Sequence, residues 1–239
     1  MANGVHQPQE QPTEEEILAY LFPKSHKCPV CDKEFMDFAI KKSKLRSIGT
    51  DTDFLTTYKD IDPNHYEILF CAHCGYAALT NYFNVIVSRQ QALIREKITP
   101  NYKPMEFPVP LSLEHVVQRY KQALACAVAM DAKPSIKAFI NLKLAWVLRK
   151  TGRSKDLEIR FLKEALAGLK SAFTTERFPL GNMDESTAKY VIADLARRTG
   201  DFAEAMRWVG DLIISKSIPG SLKERAANLK EMIRDGIAT

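Results

Sequence analysis

The chain has 239 residues, of which 46% are hydrophobic and 26% are charged, and its formal net charge at pH 7 is +5. This length allows one large domain or two small ones with a proper core, and the composition is ordinary for a soluble globular protein. Its longest apolar run, residues 123–130, is too short to span a bilayer. Residues 1–16 contain neither the basic n-region nor the apolar h-region of a signal peptide. We therefore expect a cytoplasmic protein with no membrane partner.

The net charge is unevenly distributed along the chain. Residues 1–20 contain four acidic and no basic residues, and residues 21–80 contain eight of each. Residues 81–171 contain sixteen basic and seven acidic residues, whereas residues 172–239 contain ten of each. The basic excess therefore lies in the middle of the chain, and a basic surface favours an acidic partner.

Residues 1–23 are predicted to form a disordered tail and a short helix. Residues 1–11 are polar and rich in glutamine, which indicates disorder. Thr13 and Glu16 form a capping-box pattern ahead of an apolar stretch, and Pro23 is expected to end the helix.

Residues 24–79 are predicted to form a small β unit. The sequence EFMDFAI after Cys31 and the sequence HYEILF before Cys71 are typical of strands. The stretches GTDTD and DIDPNH are rich in turn-forming residues.

Two C-x-x-C pairs use four of the five cysteines: Cys28, Cys31, Cys71 and Cys74. In a reducing cytoplasm, such pairs indicate metal or redox chemistry rather than structural disulfides. Zinc binds four ligands tetrahedrally, so we predict a structural Cys₄ zinc site. The alternative is a redox motif, which is typical of a single pair beside a βαβ pattern.

The spacing and neighbours of these pairs add detail. Thirty-nine residues separate the pairs, against about 15–20 in compact ribbons, so the intervening segment must have its own structure. A closed site of this kind stabilises a fold rather than activating a nucleophile. His26 and His73 flank the cysteines and are either surface histidines or alternative fourth ligands. Cys126 is predicted to be a small buried side chain within a helix.

Residues 80–111 are predicted to be a connecting helix followed by a proline-rich linker. From about Thr80, apolar residues recur at helical spacing. Four prolines between residues 99 and 111 exclude a helix there and predict an extended segment.

Residues 112–239 are predicted to form a helical-hairpin repeat domain of six helices. The residues that mark the helix starts are Ser112, Pro134, Ser154, Asp184, Asp201 and Ser221. The sequences AWVLRKTG (145–152) and ADLARRTG (193–200) lie 48 residues apart and match at several positions. Repeated helical hairpins stack on one another, which predicts a tetratricopeptide-like array with a repeat longer than the usual ~34 residues.

Acidic and tyrosine side chains crowd between the two cysteine pairs. Asp51, Asp53, Tyr58 and Tyr66 form a candidate polar site for a cation, a basic peptide or a polar ligand. The other interpretation is that Asp51 and Asp62 are turn and cap residues.

The ordered motifs resemble those of a bacterial family of uncharacterised proteins, domain of unknown function 2225. The motifs are CPVC, DTDF followed by a tyrosine, P-x-x-Y and CAHCGYAA, and the resemblance extends through the helical half. The resemblance implies a zinc-ribbon-like head on tetratricopeptide-like helices, and it does not imply a particular activity. The positions that it carries over are Cys28, Cys31, Asp51, Asp53, Tyr58, Tyr66, Cys71, Cys74, Gly75 and Tyr76.

The predicted fold class is therefore α+β: a small zinc-ribbon-like β unit followed by a mainly α, tetratricopeptide-like repeat domain. The predicted function is a zinc-binding, non-catalytic scaffold that binds a protein or peptide through its helical repeats. Candidates for a basic partner-binding surface are Arg119, Lys121, Lys137, Lys143, Arg149, Lys150 and Arg153.

Two other functions stay open. Nucleic-acid binding is suggested by the basic run KKSKLR (41–46), although a Cys₄ zinc centre makes the head net acidic. An enzyme would use the polar residues Asp51, Asp53 and Tyr58, but the chain has no Walker loop, no His-Glu-x-x-His and no Gly-x-Ser-x-Gly motif.

Overall fold

The computed structural model describes residues 12–152, 154–215 and 218–238. Small antiparallel sheets come first and helices follow, so the predicted α+β class is confirmed. The strands are β1 (Leu21–Lys27), β2 (Glu34–Ile40), β3 (Ser47–Thr50), β4 (Thr56–Tyr58), β5 (Ile68–Phe70) and β6 (Ala77–Leu79). The predicted disordered residues 1–11 lie outside the described residues.

Each strand pairs with its neighbour in an antiparallel hairpin: β1 with β2, β3 with β4, and β5 with β6. Strand β2 coincides with the predicted EFMDFAI. Strand β5 is shorter than predicted, because Pro63–Tyr66 forms a 3₁₀ turn before it. Asp62 caps this turn by accepting a hydrogen bond from the Asn64 N–H at 3.0 Å, as its predicted cap role requires.

The first helix, α1 (Glu14–Tyr20), has the predicted capping box between Thr13 and Glu16. The chain then turns directly into β1 at Leu21. Pro23 therefore lies inside a strand rather than at the helix end, and a two-stranded hairpin accommodates it because both of its strands are edges.

The connecting helix α2 (Ser88–Lys97) begins later than predicted. Residues 80–82 form a 3₁₀ turn after β6. Phe83 is fully buried beside Tyr76, whose hydroxyl donates to the Phe83 carbonyl at 3.0 Å. This packing holds the chain in a turn where sequence periodicity alone indicated a helix.

The six predicted helices are α3 (Leu113–Ala129), α4 (Pro134–Thr151), α5 (Lys155–Thr175), α6 (Glu185–Arg198), α7 (Phe202–Ile214) and α8 (Gly220–Ala238). Four predicted caps each accept a hydrogen bond from the backbone three residues later: Ser112, Ser154, Asp184 and Asp201. Ser221 instead lies inside α8, which begins at Gly220. Each helix from α3 to α8 packs on the next along the chain.

The hairpin region (residues 21–79) shares a core with helices α3 and α4. A single cluster contains Cys28, Cys71 and Cys74 together with Tyr120 and Ala123 of α3. Among the described residues, none of the helices has both the length and the apolar character that a membrane crossing requires.

Charged side chains join the hairpin region to the helices. The pairs are Asp37 with Arg119, Asp51 and Asp53 with Arg149, Asp62 with Lys150, and Glu67 with Lys143. Part of the basic excess in the middle of the chain therefore faces acids of the same chain.

The Asp37–Arg119 pair is the most buried of these, with side-chain exposures of 8% and 5%. The guanidinium also donates to the Ile68 carbonyl and lies 5.3 Å from the centre of the Phe107 ring. Asp37 further accepts a hydrogen bond from the Phe70 N–H at 3.3 Å. The pair thus ties β2 and β5 to α3.

Replacing Arg119 with methionine is expected to lower the free energy of unfolding by about 3–5 kcal/mol, because the buried Asp37 carboxylate loses its partner. The double variant Asp37→Asn/Arg119→Met should lose less, since no buried charge remains. Urea unfolding followed by circular dichroism measures both. The matched control is Arg234→Met, which breaks an exposed pair with Glu231 and should cost less than about 1 kcal/mol. Equal losses in the single and double variants would contradict this account.

Candidate functional site

The four predicted metal ligands lie at the tips of two hairpins. Cys28 and Cys31 lie in the turn between β1 and β2, and Cys71 and Cys74 in the turn between β5 and β6. The Sγ atoms of Cys28 and Cys74 are 3.6 Å apart, and those of Cys31 and Cys71 are 3.7 Å apart. All four sulfurs lie within 4.8 Å of one another, and none is in a disulfide.

The two turns have the same backbone geometry. In each, the residue after the second cysteine donates its N–H to the carbonyl of the first cysteine at 2.9 Å. The N–H of the first cysteine donates to the carbonyl of the residue five positions later, at 3.0 Å in the first turn and 2.8 Å in the second. The residue after each pair has a left-handed backbone conformation: Asp32 has φ 60° and Gly75 has φ 74°. These equivalent turns direct both pairs of sulfurs to one point.

The sulfur spacing fits a single tetrahedral metal ion. A metal–sulfur distance of about 2.3 Å places tetrahedral sulfurs about 3.8 Å apart, close to the 3.6 and 3.7 Å found here. A disulfide would bring two sulfurs to about 2.0 Å. The donor set and its spacing are therefore compatible with a metal site.

The sulfurs also influence one another's protonation. Hydrogen bonding to Cys71 raises the pKa of the Cys28 thiol to about 12, and hydrogen bonding to Cys28 raises the pKa of Cys74. Hydrogen bonding to Cys28 and to Cys74 lowers the pKa of Cys71. Four thiolates this close repel one another, so without a cation the cluster retains protons that a metal ion would replace.

Neighbouring helices support both turns. From α2, the Arg95 side chain donates to the Val30 carbonyl at 2.7 Å. From α3, the Gln122 amide donates to the Gly75 carbonyl at 2.8 Å. Cys126 accepts a hydrogen bond from the Ala77 N–H at 3.4 Å, and burial raises its pKa to about 11. Cys126 is thus a buried neutral thiol beneath the second turn.

The two histidines beside the cysteines make other contacts. His73 Nε2 is 3.0 Å from the Glu34 carbonyl oxygen, which links the two turns. His26 stacks on Phe35 with ring centres 5.6 Å apart, and burial lowers its pKa. Within the described part of the chain, the group of potential ligands contains the four cysteines and neither histidine.

Asp51 and Asp53 lie in the acidic loop (residues 51–54), which forms most of the connection between β3 and β4 and reaches the helices. Asp53 is 1% exposed, and its Oδ2 accepts hydrogen bonds from Arg149 at 2.7 Å and Trp146 at 2.9 Å. Asp51 accepts from Arg149 at 2.8 Å and from Arg198 at 2.6 Å. The two carboxylates therefore share one guanidinium.

Thr52 and Asp194 complete the network. The Thr52 hydroxyl donates to Asp194 Oδ2 at 2.7 Å and accepts from Arg198 at 2.6 Å. Asp194 is fully buried and accepts from the Nε atoms of Arg197 and Arg198 at 2.8 Å. Burial opposes the charge on Arg198, but the charges of Asp194 and Asp53 raise its pKa.

Phe54 ends the acidic loop in a left-handed conformation, with φ 67°. Its ring centre is 5.3 Å from that of Tyr190 and 5.1 Å from the Arg225 guanidinium. A bulky side chain rarely adopts this conformation, so the surrounding contacts must hold it.

The predicted tyrosines lie elsewhere. Tyr58 ends β4, opposite Ser47. Tyr66 packs with Leu21 and Ile61, and its hydroxyl accepts a hydrogen bond from a backbone N–H at 3.3 Å. Neither tyrosine shares a hydrogen bond with the acidic loop among the described residues. The structure thus brings the two aspartates together and separates them from the tyrosines.

Sequence reasoning did not pair the acidic loop with its helical partners, although the internal repeat carried a signal. Arg149 and Arg197 occupy matched positions in the sequences AWVLRKTG and ADLARRTG, as do Lys150 and Arg198. These octapeptides form the ends of α4 and α6, and both ends turn basic side chains toward the acidic loop.

Replacing Gly75 with alanine is expected to destabilise the second cysteine turn. A left-handed residue with a Cβ costs about 1–2 kcal/mol, and this Cβ would lie 2.5 Å from Cγ of Tyr102. The melting temperature should therefore fall. Asp32→Gly, the matched change in the first turn, should raise it or leave it unchanged. A fall with Asp32→Gly, or none with Gly75→Ala, would contradict this reasoning.

Comparison with known proteins supports a family assignment. The family model described as an uncharacterized protein conserved in bacteria (DUF2225) matches residues 21–237. No curated protein and no solved structure gives a significant match. The matched residues include both cysteine turns, the acidic loop and the two basic helix ends. The chain belongs to the DUF2225 family.

Proposed function

We propose that the protein is a non-catalytic interaction scaffold whose hairpin region is held together by a structural zinc ion. The sulfur positions carry this proposal, since four cysteines would fill the tetrahedral coordination that zinc prefers. Bound there, zinc would serve as a structural cross-link, because four protein ligands leave no position for water or substrate. We place this function in the reducing cytoplasm, where such thiols stay available.

The proposed ion would act on the segment between the two cysteine pairs. Residues 32–70 connect one cysteine turn to the other. A metal cross-link would therefore close this segment into a loop and lower the conformational entropy of its unfolded state. At its far end, the acidic loop contacts α4 and α6. The metal centre would thereby help to hold the hairpin region against the helices.

The helical region supports a binding role by its architecture. Consecutive helices pack on one another, and stacked hairpins of a tetratricopeptide-like kind provide extended surfaces for peptides. Four of the seven candidate basic residues pair with acids of the hairpin region: Arg119, Lys143, Arg149 and Lys150. Lys121 is exposed and Lys137 half-buried, and Arg153 lies outside the described residues. An acidic partner would therefore meet a narrower basic surface than the sequence indicated.

The other functions gain less support from the geometry. In the basic run, Lys41 and Lys44 donate to the Ala19 carbonyl at 3.1 and 3.2 Å, which stabilises the end of α1. The carboxylate of Asp53 is occupied by Arg149 and Trp146, which leaves it poorly placed to act as a base. Nucleic-acid binding and catalysis stay predictions.

Elemental analysis of the purified protein is expected to find one zinc ion per chain. Cys71→Ser should remove the zinc, open the hairpin region to protease and leave most of the helical circular dichroism signal, because the helices have a second core of their own. The matched control is Cys126→Ala, which removes a buried cysteine outside the ligand group and should keep the zinc. The proposed centre would be refuted if wild-type protein contained no stoichiometric metal. It would also be refuted if Cys126→Ala lost its zinc while Cys71→Ser kept it.

A further inference from the structure

The acidic loop contacts the helices as a short bound peptide would. All four of its side chains, Asp51, Thr52, Asp53 and Phe54, have specific partners there. We propose that the C-terminal ends of α4 and α6, together with Tyr190 of α6 and Arg225 of α8, form a recognition site for an acidic–polar–acidic–aromatic segment. The chain's own residues 51–54 fill this site, and a partner protein presenting such a segment docks there by displacing the loop. This inference rests on the proposed scaffold function and names its surface and the chemistry of its partner.

The two acidic positions are read by arginine. Arg149 uses separate terminal nitrogens for Asp51 and Asp53, at 2.8 and 2.7 Å, while its Nε donates to Glu158 at 2.6 Å. The planar guanidinium suits paired carboxylates. Trp146 adds a neutral donor to Asp53. The donors of Arg149 and Trp146 are therefore positioned for two carboxylates that are separated by one residue.

The polar and aromatic positions are read separately. Asp194 accepts the Thr52 hydroxyl proton at 2.7 Å, so this position requires a donor. The Phe54 ring contacts Tyr190 and Arg225, which provide an aromatic and a cationic contact. Each of the four positions thus has its own chemical requirement.

Without the loop, the site would need an anion. Among the described residues, Arg149, Arg197 and Arg198 would then face two acids, Glu158 and Asp194. Partly buried guanidinium groups that lose their carboxylates are costly. The site would consequently favour a new acidic segment over water.

The β3 arm of the loop is suited to exchange, whereas Leu55 at the other end is only 3% exposed. Every residue of β3, the strand that leads into it, is exposed, so little apolar contact holds that arm. Phe54 also carries a strained φ of 67°, which a partner's segment need not adopt. Beside the site, an open groove of about 410 Å³ is lined in part by Lys155, Phe202 and Met232. This groove gives room for residues that flank a partner's segment.

The test uses full-length protein and a fluorescein-labelled peptide with the sequence of residues 48–57, IGTDTDFLTT. The Asp51→Asn/Asp53→Asn variant weakens the chain's own loop and should bind this peptide at least about tenfold more tightly than wild type does. The control peptide IGTNTNFLTT should bind the variant at least about tenfold more weakly, since it lacks the charged hydrogen bonds. Fluorescence anisotropy measures both.

Tryptophan fluorescence reports whether the loop has left. In a Trp208→Phe background, Trp146 is the single tryptophan, and loss of its contact with Asp53 should shift its emission to longer wavelength in the variant. A shift without preferential binding of the acidic peptide would overturn the proposal. So would the absence of a shift, because the aspartates would then not hold the loop.

If the variant fails to fold, wild-type protein still decides the question. Saturating IGTDTDFLTT should increase hydrogen exchange of residues 47–58, whereas IGTNTNFLTT should not, and equal effects of the two peptides would overturn the proposal. Zinc content is measured on every sample. Absent zinc contradicts the metal-organised scaffold, whereas full zinc without peptide selectivity contradicts the recognition site alone.

Discussion

The convergence of four sulfurs on one point is the constraint on which the rest of the structure depends. Each C-x-x-C pair forms the tip of a hairpin with the same backbone geometry, and the two tips meet within 4.8 Å. Buried sulfurs this close repel when ionised, so their arrangement favours a cation at the centre. Helices α2 and α3 brace both turns, and the same core includes the cysteines and α3. The cysteine cluster therefore also positions the hairpins on the helices.

Electrostatic pairing across this contact uses part of the basic excess in the middle of the chain. Acids of residues 37–67 meet bases of α3 and α4, and the most buried pair, Asp37 with Arg119, crosses the shared core. Desolvation offsets much of the attraction within a buried pair of this kind, whereas separating the partners leaves a buried charge unpaired. The pair therefore penalises arrangements that separate Asp37 from Arg119. Arg119, Lys143, Arg149 and Lys150 are consequently used within the chain, and the proposed partner surface is confined to fewer basic side chains.

The acidic loop links this architecture to the proposed function. It lies between the two cysteine pairs in sequence, yet its side chains bind the ends of α4 and α6. Those ends are the two halves of the internal repeat, so equivalent positions of successive helical hairpins converge on one short segment. Under the proposed function, this convergence would be the recognition site of a stacked helical array, and the chain's own loop would fill it.

The sequence by itself determined what local chemistry controls. Its patterns predicted that the four cysteines form one ligand group, and they predicted strand β2 and the proline start of α4. They also predicted the helix caps Ser112, Ser154, Asp184 and Asp201. Caps, turns and ligand spacing are short-range features, so they can be recognised without the fold. Tertiary structure decided the rest. Phe83 lies in a turn because Tyr76 packs on it, and Asp53 acquires its partners Trp146 and Arg149 from more than ninety residues away. Contacts over such distances leave no local periodicity, so only the folded chain shows which charges meet.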